Sequence, residues 1–286
     1  MTRKRKVGRA RGERITLKSE DEIARMRRAG QMVALTLDRL AAAAVPGATT
    51  GELDRVAEAT IRSFGGVTSF YKLYGYPAHI CTSINDEVVH GIPGERALER
   101  GQILSFDVGA TVDGMIADGA ATVGVGPVAP LAKRLMRVTQ EALYKGIEQA
   151  RPGNRVVDIS AAIQRHVESH GYSVVRKLVG HGVGHEMHEP PHVPNFVDRD
   201  PAESPELMPG MTLAIEPMVN EGSWEVVQDR DGWTYRTRDG SLSAHFEHTV
   251  VITEQGYEIL TEREAPPGRG QGDRVTAAPA GDSGRG

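Results

Sequence analysis

Two aspartates interrupt neighbouring apolar segments in the stretch ILSFDVGATVDGMIADGAATV. Between Asp107 and Asp118, the TVDG segment at residues 111–114 is typical of a turn. If the chain reverses there, the two carboxylates lie nearly opposite each other, with Cβ atoms about 4.5–5.5 Å apart. Two buried like charges repel and are costly to desolvate, so a cation is expected between them. The alternative is a partly exposed strand whose aspartates face solvent, and the hairpin alone does not decide between the two.

Further acidic residues and a histidine-rich loop extend this set. Glu216 ends an apolar segment in GMTLAIEPMVN, and Glu247 begins another in SAHFEHTVVIT. The loop KLVGHGVGHEMHEPPHVPN supplies His181 and His188. Four carboxylates and a histidine suit divalent Mn, Fe, Co or Zn. Because they exceed the needs of one tetrahedral zinc and carboxylates can bridge, we predict two divalent metal ions about 3.5–4 Å apart.

The same loop contains a misleading motif. The HEPPH segment at residues 188–192 matches the H-E-x-x-H pattern of zinc proteases. That pattern needs a helix to bring both histidines to one face, and two consecutive prolines do not permit a continuing helix. We therefore predict no such zinc site. His90, in CTSINDEVVHGIPGER, lies in a predicted loop, where a lone histidine is more often a surface residue.

Residues so far apart in the chain require a scaffold that brings them together, and an internal repeat indicates one. Residues 44–66 align without a gap on residues 150–172, including a shared Pro-Gly. Each copy follows a predicted helix (22–44 and 131–150), enters a second amphipathic helix after the Pro-Gly turn, and ends at a C-terminal glycine. Any two helix–turn–helix segments resemble each other, but the gapless length favours duplication. We predict an α+β fold of two related halves that share one sheet, with a cleft between them.

The remaining segments differ in composition between the body and the ends of the chain. Strands are predicted at 102–108, 115–125, 212–216 and 246–253, and residues 177–194 are predicted to be mostly loop. The first 14 residues carry seven Lys or Arg against one Glu, which predicts a basic disordered arm at 1–14; the alternative is an arm that contacts ribosomal RNA. A Gly/Pro-rich segment without aromatic residues predicts a disordered tail at 264–286, which leaves a folded body at 15–263.

Composition limits the classes of function. A net charge of −4 over 286 residues is too mild to indicate nucleic acid as the main partner. Cys81 is the only cysteine, which excludes an intramolecular disulfide and a cysteine-based zinc site. No apolar stretch approaches the roughly 20 residues needed to cross a bilayer, and no signal-peptide pattern follows the basic start. We expect a cytoplasmic monomer without a membrane partner.

Taken together and in order, the motifs resemble type I methionine aminopeptidases of the bacterial kind. Matching blocks run from SEDEIARMRRAG through YGYPAHICTSINDEVVHGIP and the segments quoted above to DGWTYRTRDG and YEILT. The resemblance implies the pita-bread fold, with two pseudo-symmetric αβ halves around a curved antiparallel sheet, as a catalytic domain at 15–263. It also implies a metallo-aminopeptidase that releases the initiator methionine from nascent polypeptide N-termini when the second residue is small.

The resemblance assigns metal-binding roles position by position. Asp107 would bind one metal ion, and Asp118 and Glu247 would bridge both. His181 and Glu216 would hold the other ion, and Glu216 would also be the general base.

It assigns substrate-binding roles in the same way. His90 and His188 would be catalytic residues that contact the substrate, His188 near the scissile bond. Tyr76, Cys81 and Trp233 would line the methionine pocket.

This chain departs from the pattern at two pocket positions, and two other functions stay open. Leu73 stands where family members often carry tyrosine, and Phe70 where they often carry cysteine; both keep the pocket apolar. One alternative is an X-Pro aminopeptidase or prolidase of the same fold, which usually has an additional N-terminal domain. The other is a non-catalytic relative that binds RNA or protein, a class that tends to lose the metal ligands this chain retains.

Overall fold

The computed structural model describes residues 6–10 and 13–262. In this part of the chain the helices are α1 (Glu20–Ala43), α2 (Thr50–Ser63), α3 (Pro130–Ile147) and α4 (Val156–Ser169), with 3₁₀ turns at Leu73–Gly75 and Pro201–Glu203. The strands are β1 (Lys6–Ala10), β2 (Glu13–Thr16), β3 (Val67–Thr68), β4 (Cys81–Ile84), β5 (Glu87–Val89), β6 (Ile103–Val112), β7 (Met115–Gly124), β8 (Ser173–Val174), β9 (Gly180–Gly182), β10 (Glu189–Val193), β11 (Thr212–Ile215), β12 (Met218–Asn220), β13 (Val226–Gln228), β14 (Tyr235–Thr237), β15 (Ser243–His245), β16 (His248–Thr253) and β17 (Gly256–Ile259). Helices combined with antiparallel strands confirm the predicted α+β class.

The internal repeat corresponds to two equivalent helix pairs. In both copies a glycine with positive φ follows the proline of the Pro-Gly turn, Gly47 at 93° and Gly153 at 87°. Both second helices, α2 and α4, are followed by a glycine in the left-handed region, Gly65 at 78° and Gly171 at 80°, where a side chain would be strained. A short strand comes next in each copy, β3 or β8. The predicted duplication is confirmed.

The correspondence extends beyond the segment recognised in the sequence. The stretches GQILSFD (101–107) and GMTLAIE (210–216) each begin at a positive-φ glycine, 93° at Gly101 and 88° at Gly210, and lead into β6 and β11. Asp107 and Glu216 therefore occupy equivalent positions in the two halves.

The strands pair only in the antiparallel sense among the described residues. The sequence predicted one shared sheet, whereas the hydrogen-bonded ladders are separate: β10-β9-β11-β16-β17, β15-β12-β8, β13-β14-β5, and β3-β6-β4 with β7 on β6. The halves meet where Glu247 and Ala120 exchange backbone hydrogen bonds, 2.9 Å from the Glu247 N–H and 3.4 Å from the Ala120 N–H. Glu247 lies in the break between β15 and β16, so β16 begins two residues later than predicted.

The helices cover the strands in pairs, one pair on each half. Helix α1 packs on β6, β7 and α2, while α3 packs on α4, β12 and β15. Capping boxes begin α1 at Ser19 and α2 at Thr49, where the hydroxyl accepts a backbone N–H of the first turn. At Gly30, helix α1 packs closely against the backbone of Leu260, because a Cβ at this position would clash with the Leu260 carbonyl oxygen. No helix of the described segments is long and apolar enough to cross a membrane.

The predicted ends of the body are only partly described. Strand β1 lies inside the segment 1–14 that was predicted to be a disordered arm, and its antiparallel pairing with β2 departs from that prediction for residues 6–10. The predicted tail at 264–286 lies outside the described residues. The boundaries 15–263 therefore stay a prediction.

Candidate metal centre and substrate pocket

Two of the acidic side chains come from the β6–β7 hairpin. Asp113 and Gly114 both have positive φ, 48° and 76°, which is the two-residue turn that matches the twist of paired strands. The register pairs Asp107 with Ala120, two residues beyond Asp118. The two aspartates are therefore diagonal neighbours on one face of the hairpin, offset by two residues from the nearly opposite arrangement that the sequence predicted.

The other three predicted ligands come from the second half. His181 lies in β9, opposite Ala214 of β11, and Glu216 directly follows β11. Glu247 reaches the hairpin through its backbone pairing with β7. The segment 177–194, which was predicted to be mostly loop, also contains the paired strands β9 and β10.

These side chains converge in a buried cluster. One potential ligand atom from each of Asp118, His181 and Glu247 lies within 4.8 Å of the others, and all three residues are buried. The His181 Nε2 atom lies 3.4 Å from Glu216 Oε1. Asp107 faces the same cavity. The predicted ligands therefore lie close together, as a shared metal centre requires.

The electrostatics of the cluster favour a bound cation. Burial raises the pKa of Asp118 to about 7. Burial, with the neighbouring Asp118 carboxyl, raises the pKa values of Asp107, Glu216 and Glu247 well above their usual range. Asp107 Oδ1 and Glu247 Oε1 are buried without a hydrogen-bond partner among the described residues. Such oxygens are costly to leave unsatisfied, and a bound divalent cation satisfies them while keeping the carboxylates ionised.

His181 is prepared to act as a ligand. Its Nδ1–H donates to the Gly182 carbonyl oxygen over 2.9 Å. Because a carbonyl only accepts, the Nε2 lone pair is left facing the carboxylates, the arrangement by which proteins orient metal-binding histidines. Burial and the neighbouring His188 lower the pKa of His181 to about 3, so the imidazole is neutral at pH 7.

The carboxylate cluster forms the inner wall of a cavity of about 190 Å³. Every residue for which the sequence predicted a site role lines this cavity: Tyr76, Cys81, His90, Asp107, Asp118, His181, His188, Glu216, Trp233 and Glu247.

The part of the cavity beyond the cluster is largely apolar. Tyr76 packs edge-on against Trp233, with ring centroids 5.1 Å apart, and its hydroxyl donates to the Gly91 carbonyl oxygen over 2.9 Å. Burial and the nearby Asp107 carboxyl raise the pKa of the Cys81 thiol, which is therefore protonated and packs as a small apolar group. Phe70 and Leu73 belong to the same apolar cluster.

Two further histidines, His188 and His90, line the same cavity. The His188 ring lies 4.4 Å from that of His181. His90 follows β5 with a positive φ of 61°, and its ring contacts Tyr235 at 6.1 Å. Burial and the His188 imidazole lower the pKa of His90 to about 4, and burial also lowers that of His188. Both rings are neutral at pH 7 and can donate one hydrogen bond each.

Sequence reasoning missed some residues of the site. His245 is 1% exposed, and its Nε2 lies 3.8 Å from Glu216 Oε2. The sequence could have indicated His245, because it lies two residues before Glu247 and alternate residues of an extended segment share a face. Tyr74, with a φ of 51°, stacks against His188 at 5.8 Å and also lines the cavity. Nothing in the sequence indicated that position.

The HEPPH segment is extended, as expected from its prolines. Residues 189–193 form β10 rather than a helix. The two histidines of the H-E-x-x-H match therefore do not share a helix face, as predicted from the prolines.

Comparison with known proteins places this arrangement in a family. The sequence profile described as metallopeptidase family M24 matches residues 24–254. The chain belongs to metallopeptidase family M24. Among M24 relatives, it is 51% identical to the methionine aminopeptidase of Clostridium perfringens over 86% of this chain and 98% of that protein. It is 49% identical to methionine aminopeptidase 1 of Bacillus subtilis over 86% and 99% of the two chains.

Solved structures of M24 relatives agree with the fold. The crystal structure of methionine aminopeptidase from Thermotoga maritima superimposes with a TM-score of 0.85 and 45% identity, over 87% of this chain and all of that chain. Prolidase from Pyrococcus furiosus, at 21% identity, has a TM-score of 0.68 and is covered over 66% of its length, so it is similar in fold alone. The predicted pita-bread fold is confirmed.

Proposed function

We propose that this M24 chain is a methionine aminopeptidase, a hydrolase that removes the initiator methionine from polypeptide N-termini when the second residue is small. The observation that carries the proposal is that one cavity is lined both by carboxylates and imidazoles and by apolar side chains. Relatives named methionine aminopeptidase, at 42–51% identity over most of the chain, support the assignment of substrate.

The proposed cofactor is a pair of divalent metal ions, drawn from Co, Mn, Fe or Zn. Asp107 would bind one ion, His181 and Glu216 the other, and Asp118 and Glu247 would bridge the two. The unpartnered buried oxygens of Asp107 and Glu247 and the free Nε2 of His181 fit this role. Bound divalent ions supply Lewis acidity toward a carbonyl group and make water more acidic.

Glu216 is the proposed general base. In the proposed reaction its carboxylate takes the proton of the attacking water and passes it to the leaving amine. The two oxygens of this carboxylate lie 3.4 Å from His181 Nε2 and 3.8 Å from His245 Nε2.

His188 and His90 are the proposed substrate contacts. Because both imidazoles are neutral at pH 7, each can donate a hydrogen bond to the scissile peptide group without carrying a charge into the cavity. Such a donor, aimed at an oxygen that gains charge during the reaction, is typically worth about 3–4 kcal/mol.

The methionine side chain would occupy the pocket formed by Tyr76, Cys81 and Trp233. The T-shaped ring pair of Tyr76 and Trp233 provides aromatic edges and faces, which contact thioether sulfur favourably. Phe70 and Leu73 keep the same wall apolar.

The cellular setting belongs to the proposal as well. Nascent polypeptides are the proposed substrates, the cytoplasm the proposed location and a monomer the proposed state. A contact between the basic arm 1–14 and ribosomal RNA lies largely outside the described residues and stays a prediction.

Peptide hydrolysis separates this function from that of an X-Pro aminopeptidase or prolidase. We expect metal-loaded protein to release methionine from Met-Ala-Ser and to leave Ala-Pro peptides intact. Glu216→Gln should retain its fold and lose turnover. Hydrolysis of Ala-Pro in preference to Met-Ala-Ser would contradict the proposal, and so would full turnover by the Glu216→Gln variant.

A further inference from the structure

A second group of metal-binding side chains lies on the helical layer, with no residue in common with the catalytic cavity. Glu141 of α3 faces His166 of α4, and His170 directly follows α4. One potential ligand atom from each of the three lies within 4.8 Å of the others, and all three residues are half-buried. Positions 166 and 170 are four residues apart, so their side chains lie on the same side of the helix end.

The distances are close to those of a coordination shell. His166 Nε2 lies 3.1 Å from Glu141 Oε2, and the two imidazole rings are 4.6 Å apart. Zinc–ligand bonds of about 2.0–2.1 Å in a tetrahedron separate neighbouring ligand atoms by roughly 3.3 Å. Rotamer adjustments of these half-buried side chains would be enough to close the site.

The hydrogen bonds leave ligand atoms available. His170 Nδ1–H donates to the His166 carbonyl oxygen over 2.8 Å, which leaves the His170 Nε2 lone pair free. Arg137 Nη1 binds Glu141 Oε1 at 2.6 Å, so Oε2 alone faces His166. A metal ion would take the place of the hydrogen between His166 Nε2 and Glu141 Oε2, and the proton of the neutral His166 ring would then be carried on Nδ1.

Two histidines and one carboxylate determine the class of ion. Imidazole ligands favour Zn²⁺, Ni²⁺ and Cu²⁺, whereas Mg²⁺ and Ca²⁺ need more oxygen ligands. Glu141 is the one carboxylate of the three, and Arg137 already binds its other oxygen, so a hard cation that needs several oxygen ligands would bind poorly.

We propose that Glu141, His166 and His170 form a separate site for a divalent transition-metal ion, Zn²⁺, Ni²⁺ or Cu²⁺, with water completing the coordination. The ion would tie α3 to α4 on the outside of the second half of the molecule. It would add one metal equivalent to those of the catalytic cavity and would stabilise the fold without taking part in hydrolysis.

Metal counting tests the proposal directly. The full chain and its His166→Gln/His170→Gln variant are dialysed to equilibrium against Zn²⁺, and bound zinc is measured per chain. We expect the variant to bind one equivalent less than the original chain and His185→Gln, a control at an exposed histidine outside both clusters, to bind the same number. Equal zinc content in the double variant and the original chain would overturn the proposal.

A second measurement separates this site from the cavity. In an Asp107→Asn/Glu247→Gln background, which removes two of the cavity's proposed ligands, we expect Zn²⁺ still to raise the melting temperature. Adding His166→Gln and His170→Gln should abolish the rise, and Glu141→Gln should weaken it. A rise that persists without the two histidines would contradict the site, as would no rise in the background. Neither measurement uses peptidase activity, so failure here is distinct from failure of the proposed function.

Discussion

A buried ion pair joins the N-terminal segment of the body to the loop that carries His188. Lys18 Nζ lies 2.5 Å from Glu189 Oε2, and the side chains are 2% and 8% exposed. The other carboxylate oxygen of Glu189 accepts the backbone N–H groups of His185 and Glu186, at 2.6 and 3.1 Å. Since Glu189 directly follows His188, this pair fixes the chain where that imidazole enters the cavity.

Replacing Lys18 with methionine should destabilise the protein strongly. The substitution keeps an unbranched side chain but leaves the Glu189 carboxylate buried without its counter-ion. Removing one partner of a buried ion pair lowers the free energy of unfolding by about 3–5 kcal/mol. Because two amide donors still contact Glu189, we expect the lower end, about 3 kcal/mol. At about 2–4 °C per kcal/mol for a chain of this size, the melting temperature should fall by roughly 6–12 °C.

Urea unfolding at fixed metal concentration measures how much Lys18→Met lowers the free energy of unfolding. The control is Arg28→Gln, which breaks an ion pair with Asp113 in which both side chains are 61% exposed, and it should cost at most about 1 kcal/mol. The double variant Lys18→Met/Glu189→Gln should recover part of the loss, because no buried charge remains. If Lys18→Met costs no more than Arg28→Gln, the buried Lys18–Glu189 pair contributes no more to stability than an exposed pair.

Three further outcomes are expected. Glu216→Gln should lower kcat on Met-Ala-Ser by about 10²–10⁴-fold through loss of proton transfer, checked by steady-state assays at saturating metal; unchanged kcat would contradict its role as base. Thr49→Ala removes the hydroxyl that accepts the N–H of Glu52 and should lower the free energy of unfolding by about 0.5–2 kcal/mol, checked by urea unfolding, with Thr49→Ser as the control that retains stability. His90 has a pKa lowered from 6.5 to about 4, so the unfolded chain binds a proton in this window that the folded chain does not, and the free energy of unfolding should fall as pH decreases from 6.5 to 4. His90→Gln should make that decrease shallower, and an unchanged pH dependence in urea titrations would show that His90 is not buried neutral.

The helices and the duplication could be predicted from the sequence because their signals are local. The Pro-Gly turns and terminal glycines are set by backbone conformation, and Gly65 and Gly171 have the positive φ that the pattern indicates. The offset between Asp107 and Asp118 was missed because the turn was placed at residues 111–114, with Val112 and Asp113 at its centre. The chain reverses at Asp113 and Gly114, which pairs Asp107 with Ala120.

The backbone pairing that joins the two halves could not be predicted from the local sequence. Nothing local to Glu247 indicates that its backbone pairs with Ala120 of β7, more than a hundred residues away. The short strands β9 and β10 were likewise predicted as loop, since glycines and prolines are poor strand formers and tertiary pairing overrides that preference.

Anomalous diffraction from crystals grown with Mn²⁺ would locate the metal ions of the proposed centre. We expect two peaks in the cavity, about 3.5–4 Å apart, within bonding distance of the five proposed ligands: Asp107, Asp118, His181, Glu216 and Glu247. The absence of metal from this cavity in protein that hydrolyses Met-Ala-Ser at its full rate would contradict the proposed metal centre.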